Sequence, residues 1–102
     1  MADAGRIVGE AVATGRAERG VACCTTGTGV CIAANKVPGV RAALCTNVET
    51  VIGARQWNDA NVLAFGLGST NVDVAANMLE AFLATDFDVD EERLVARVEQ
   101  PD

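Results

Sequence analysis

Apolar positions along the chain follow two rhythms. Over residues 3–18, Ala4, Ile7, Val8, Ala11 and Val12 recur at intervals of three and four, with Arg6, Glu10 and Arg16 outside the stripe. That spacing predicts a helix with one buried face. Gly9 and Gly15 weaken it, each costing up to about 1 kcal/mol against alanine, and Gly20 ends it. Residues 21–24, 40–45 and 62–66 are short, nearly continuous apolar runs bounded by glycine or polar turns. Such runs read as strands of a parallel sheet covered on both faces. Between them, residues 29–35 and 48–57 predict helices, the second capped by Asn47. Lys36-Val37-Pro38-Gly39 and Asn58-Asp59-Ala60-Asn61 carry turn chemistry. Gly68-Ser69-Thr70-Asn71 is a loop ending in capping residues. It leads into the strongest helix, residues 72–85, with Val72, Ala75, Ala76, Leu79, Phe82 and Leu83 on one side. Asp88 or Asp90 caps a final helix over residues 91–99.

Strands alternating with helices predict an α/β fold with a parallel sheet and right-handed crossovers. A chain of 102 residues is expected to form one domain, residues 1–102. Three strands leave two long apolar edges, which isolated domains avoid, so the chain reads as incomplete by itself. No apolar run reaches transmembrane length, and no charged segment followed by a long apolar one suggests a secretory signal. A net charge of −6 and only 4% aromatic residues argue against nucleic-acid or anionic-membrane partners.

The four cysteines form no Cys-x-x-Cys pair, and there is no histidine to complete a metal set. Cys23 and Cys24 are adjacent on a strand and point to opposite faces, while Cys31 and Cys45 sit in apolar surroundings. The expectation is a reduced, cytoplasmic chain with no metal and no cofactor.

The candidate chemistry concentrates where the first strand ends. Cys24-Thr25-Thr26-Gly27-Thr28-Gly29 joins a strand to a short helix of small residues. Glycines let a ligand approach the backbone, and unpaired N–H groups at a helix start favour an anion. A cysteine at the strand end adds a base or nucleophile. The plain alternative is a tight turn beside a buried thiol, without a ligand.

This loop, the following Ile32-Ala33-Ala34-Asn35-Lys36-Val37-Pro38-Gly39-Val40-Arg41-Ala42, and the stretch from Arg55-Gln56-Trp57-Asn58 to Gly66 together resemble the type B ribose-5-phosphate isomerases and their galactose-6-phosphate isomerase relatives. The resemblance covers nearly the whole chain. It implies a Rossmann-like three-layer α/β/α sandwich and a metal-free aldose–ketose isomerase of sugar phosphates. It also implies a dimer with active sites at the subunit interface.

Residue by residue, the resemblance gives Cys24 the proton transfer through an enediolate and Thr26 a part in ring opening. The backbone of Gly27, Thr28 and Gly29 would hold the developing charge, with Thr25 and Asn58 beside the substrate and Arg93 with Arg97 on its phosphate. Arg93 and Arg97, four residues apart, share one helix face, which suits a phosphate and equally suits a solvated surface. Arg41 reads as support for the fold or an interface.

Three departures accompany the likeness. Thr25 stands where the family loop usually has glycine, and Trp57 stands where it has the histidine credited with helping ring opening. The family's first strand, helix and second strand, with their sugar-contacting residues, lie before this chain's first residue. In the family's sheet that first strand pairs beside the strand carrying Cys24. The expected partners are therefore a phosphorylated sugar and either a second copy or a related subunit. The alternative function is a non-catalytic paralogue that binds sugar phosphate or serves as a structural subunit.

Overall fold

A computed structural model describes residues 2–89. Its elements run α1 (Ala2–Ala13), β1 (Gly20–Cys24), α2 (Thr28–Asn35), β2 (Ala42–Leu44), α3 (Val48–Asn58), β3 (Val62–Gly66) and α4 (Val72–Ala84). The helix expected over residues 91–99 lies outside the described residues.

The strands form one parallel sheet in the order β1-β3-β2. Gly20 and Ala42 both stand level with Val62, so β1 and β2 start together on either side of β3. Alternation along β3 divides the core into two layers. Val62 and Ala64 pack with Ala22, Val30, Ala34 and Val40 beneath Val8 and Val12 of α1. Leu63 and Phe65 face the other way, against Val51 of α3 and Met78 and Phe82 of α4. The result is the Rossmann-like α/β/α arrangement, with α1 and α2 on one face and α3 and α4 on the other.

Two expectations change. Helix α1 stops at Ala13, not Glu18. Gly15 adopts a left-handed φ of 80°, and the N–H groups of Arg16 and Ala17 both return to the Ala11 carbonyl, a glycine stop. The strands are also not all covered on both faces. Only β3 is, with Val62, Leu63 and Ala64 at most 1% exposed, because it alone has a strand on each side. On the outer strands Val21 and Leu44 are 38% and 39% exposed. The β2 edge is partly closed by a side chain: the Asn35 amide accepts from Ala42 N–H at 2.8 Å and donates to its carbonyl at 3.0 Å. This imitates a neighbouring strand at one residue.

At the N-terminal ends of the strands a buried arginine ties the helices together. Arg55, 4% exposed, donates to the carbonyls of Thr85 (2.9 Å) and Ala60 (2.7 Å) and to Asp59 Oδ1 (3.0 Å). Asp59 caps α3 in the left-handed region and takes Arg41 Nη2 on its second oxygen at 3.2 Å. Arg41 thus supports the fold, as its position in the sequence suggested.

Candidate active site

Cys24 is the last residue of β1, at the C-terminal end of the sheet. The chain then turns through Thr25 and Thr26 to Gly27, which takes a φ of 82° as the N-cap of α2. A side chain there would be strained by that φ and would also meet Leu44 Cδ1 at 2.6 Å and the Phe65 carbonyl carbon at 2.7 Å. Gly66 permits the same approach from β3: a Cβ on it would meet the Thr26 carbonyl group at 2.7 Å. The loop therefore sits directly on the end of the central strand. Leu67 and Gly68 fasten it there, donating to the carbonyls of Cys24 (2.8 Å) and Thr25 (2.9 Å).

The N-cap of α2, Gly27, has no side chain to cap the helix, and the Thr26 hydroxyl accepts from Thr28 N–H at 3.4 Å. Gly27 N–H donates to the Cys24 Sγ at 3.2 Å, and further N–H groups of the turn lie about the same sulfur. The backbone N–H of Val30 above all, and those of Gly27, Thr26 and Gly29, hold the Cys24 pKa below the ordinary thiol value, against a burial that pushes it up. Cys31 and Cys45 show the opposite environment. Burial raises Cys31, and burial with the nearby Cys31 pushes Cys45 up to about 11. Of these three thiols only Cys24 is biased toward thiolate. Cys24 itself is buried, while the first turn of α2 is open at Gly29, where a Cβ would meet nothing within 4 Å. The hydroxyls of Thr26 and Thr28 bond each other at 2.8 Å over the same turn.

The structure thus gathers Cys24, Thr25, Thr26, Gly27, Thr28 and Gly29 into one site. It does not bring Asn58 there. Asn58 ends α3 at the opposite end of the sheet, about 15 Å away at 3.3 Å per residue along β3. There it lines a groove of about 720 Å³ with Asn35, Pro38, Arg41 and Ala60. Trp57, 54% exposed, lies back over Gly53 of its own helix. Arg93 and Arg97 lie outside the described residues. Leu67 and Gly68, which fasten the turn, were not singled out from the sequence, where Gly68 to Asn71 marks only a loop. Among the described residues no group of three or more His, Cys, Asp or Glu side chains could hold a metal ion, and no helix is long and apolar enough to cross a membrane.

A parallel sheet between helix layers, with a glycine turn at the strand C-termini that sets a thiol against a helix start, defines a Rossmann-like α/β protein. The chain belongs to the Ribose/Galactose Isomerase family, whose sequence model matches residues 1–100. It is 40% identical to ribose-5-phosphate isomerase B of Escherichia coli over 78 residues, covering 76% of this chain and 52% of that protein. It is 42% identical to the galactose-6-phosphate isomerase subunit LacB of Clostridium acetobutylicum over 79 residues, covering 78% and 46%. To the D-erythrulose-4-phosphate isomerase of Pectobacterium atrosepticum it is 36% identical over 86 residues, covering 84% and 57%. The solved ribose-5-phosphate isomerase B of Clostridium thermocellum superposes with a TM-score of 0.92 at 40% identity, covering 96% of this chain and 67% of that one. The chain spans about half the length of these curated relatives.

Proposed function

We propose that the chain interconverts an aldose phosphate and a ketose phosphate, with Cys24 carrying the proton between the two reacting carbons. The observation that carries this is the Cys24 thiol at the strand end, with the main-chain N–H groups at the start of α2 gathered about its sulfur. A thiolate so placed removes the proton from the carbon beside the aldehyde. The electron pair moves onto the carbonyl oxygen, forming an enediolate. The thiol then returns the proton to the former aldehyde carbon while a proton passes between the two oxygens, leaving the ketose. Charge gathers on oxygen in the intermediate, and the N–H donors already gathered about the sulfur would stabilise it at little cost of reorganisation. The family's named members act on sugar phosphates of four to six carbons, which sets the substrate class considered for this chain.

Thr26, with its hydroxyl on the rim of the loop, hydrogen-bonds a sugar oxygen, and Thr25 and Thr28 line the approach. Asn58 serves the site of another copy, since about 15 Å separates it from Cys24 of its own chain; a homodimer, or a pairing with a related subunit, follows. Arg93 and Arg97 hold the phosphate. The reaction needs neither metal nor cofactor and belongs among cytoplasmic sugar-phosphate conversions.

The test is conversion between ribulose 5-phosphate and ribose 5-phosphate by the purified chain and by Cys24→Ala. General acid–base work of this kind contributes about 10²–10⁴-fold, and the variant should lose that much. Equal rates for the two proteins, both at background, would refute the assignment.

A further inference from the structure

We propose that Thr28 is a positioning residue, which makes the Thr26 hydroxyl a hydrogen-bond donor, rather than an acceptor, toward the substrate. The inference rests on the isomerase assignment above and gives one of its side chains a direction.

A threonine hydroxyl carries one proton and two lone pairs. Left to rotate in water it offers either to an approaching oxygen, and fixing it costs freedom at the moment of reaction. The turn after β1 removes that freedom at Thr26. Thr28 N–H donates to Thr26 Oγ1 at 3.4 Å, and the Thr28 hydroxyl oxygen lies 2.8 Å from the same atom. Gly27, with its φ of 82°, is the residue at which the chain turns between the two threonines. Both threonines are exposed on the loop, within reach of a ligand beside Cys24.

Two arrangements satisfy the pair. In one, Thr26 gives its proton to Thr28 and keeps a lone pair for the sugar. In the other, Thr28 gives its proton to Thr26. With Thr28 N–H on the second lone pair, both acceptor positions of Thr26 are then filled, and its own proton is what it has left to offer. The reaction selects the second arrangement. Negative charge gathers on oxygen in the enediolate, which a donor stabilises and a lone pair repels. Each bond that Thr26 Oγ1 accepts also polarises its O–H and strengthens the bond it gives. The relay runs from Thr28 O–H to Thr26 Oγ1, and from Thr26 O–H to the substrate oxygen. It needs only rotation of two hydroxyls, and no proton changes owner. The effect of Thr28 on the reaction passes through Thr26.

The experiment is a double-mutant cycle on the full chain with ribulose 5-phosphate, assayed well below the melting temperature of every variant. Thr26→Val should lower kcat about 10²-fold, the scale of one donor to a developing oxyanion. Thr28→Val keeps the shape and the N–H but not the hydroxyl. It should lower kcat about 3–10-fold with KM unchanged, and Thr28→Ser should keep the natural rate. In the Thr26→Val background, Thr28→Val should change nothing further, because the group it acts through is gone. Effects that multiply in the double variant, a Thr28→Val loss confined to KM, or no loss in either single valine variant overturn the inference and leave the isomerase assignment standing. So does Thr28→Ser as slow as Thr28→Val. No turnover by the natural chain overturns the assignment, and the inference with it.

Discussion

At the C-terminal end of the strands, α3 and α4 start beneath the side-chain amides of Asn47 and Asn71, which accept from Thr50 N–H at 2.8 Å and Val74 N–H at 2.9 Å. Helix α2 starts at the same end with Gly27, which has no side chain to cap it. At the N-terminal end Arg55, Asp59 and Arg41 are joined to one another and to nearby carbonyls. One end of the sheet holds its polar groups in mutual bonds that fix the fold. The other sets the start of one helix, α2, against a thiol. The difference lies in what meets the N–H groups of a helix start: an asparagine amide at α3 and α4, a cysteine sulfur and a threonine hydroxyl at α2.

The contrast can be broken first at the structural end. Arg55→Ala leaves the Thr85 and Ala60 carbonyls and one Asp59 oxygen without their donor and should cost about 3 kcal/mol, since removing one partner of a buried pair is strongly destabilising. Urea unfolding measures it. A loss below about 1 kcal/mol, the range of a surface pair, would mean that the clamp is ornamental.

Gly27→Ala strikes the functional end. A side chain in the left-handed region, crowded by Leu44 and Phe65, should cost about 1–3 kcal/mol and displace the N–H groups from Cys24. Catalysis should fall further than stability alone explains, as seen by assaying well below the melting temperature. Full activity in this variant would show that the turn is not part of the site. Asn71→Ala is the smaller control. It removes a true cap, should cost about 1 kcal/mol, and should leave catalysis intact.

The thiols offer a pH-dependent version of the comparison. A lowered pKa places the Cys24 thiolate at lower pH than an ordinary cysteine, while Cys45, up at about 11, keeps its proton until strongly alkaline conditions. Iodoacetamide followed by peptide mapping should therefore label Cys24 first as pH rises. Equal labelling profiles for Cys24 and Cys45 would contradict the geometry around the sulfur.

Much of this was readable from residue order. The apolar run of β3, the amphipathic face of α4 and the caps at Asn47 and Asn71 are local signals, and the structure places them within a residue or so of expectation. The Cys24 to Gly29 turn was also visible, because glycine and threonine at a strand end are unusual enough to stand out.

What escaped depends on neighbours distant in sequence. Gly15 looks the same whether it weakens a helix or ends one, and only the bonds returning to Ala11 show which. The exposure of Val21 and Leu44 follows from a strand order that no local pattern encodes. Nothing local in the sequence marks Arg55 as a buried tie, and its role shows only where its guanidinium meets the Thr85 carbonyl. Asn58 lies next to residues that resemble the family's site, yet the topology carries it to the far end of the sheet.

The central claim is that Cys24 moves a carbon-bound proton of a sugar phosphate. Incubating ribulose 5-phosphate with the chain in deuterated water, and following the proton signals beside the carbonyl by NMR, tests it without requiring net conversion. The account predicts deuterium entering that position with the natural chain and none above background with Cys24→Ala. Equal incorporation by the two proteins, or none by either, would contradict it.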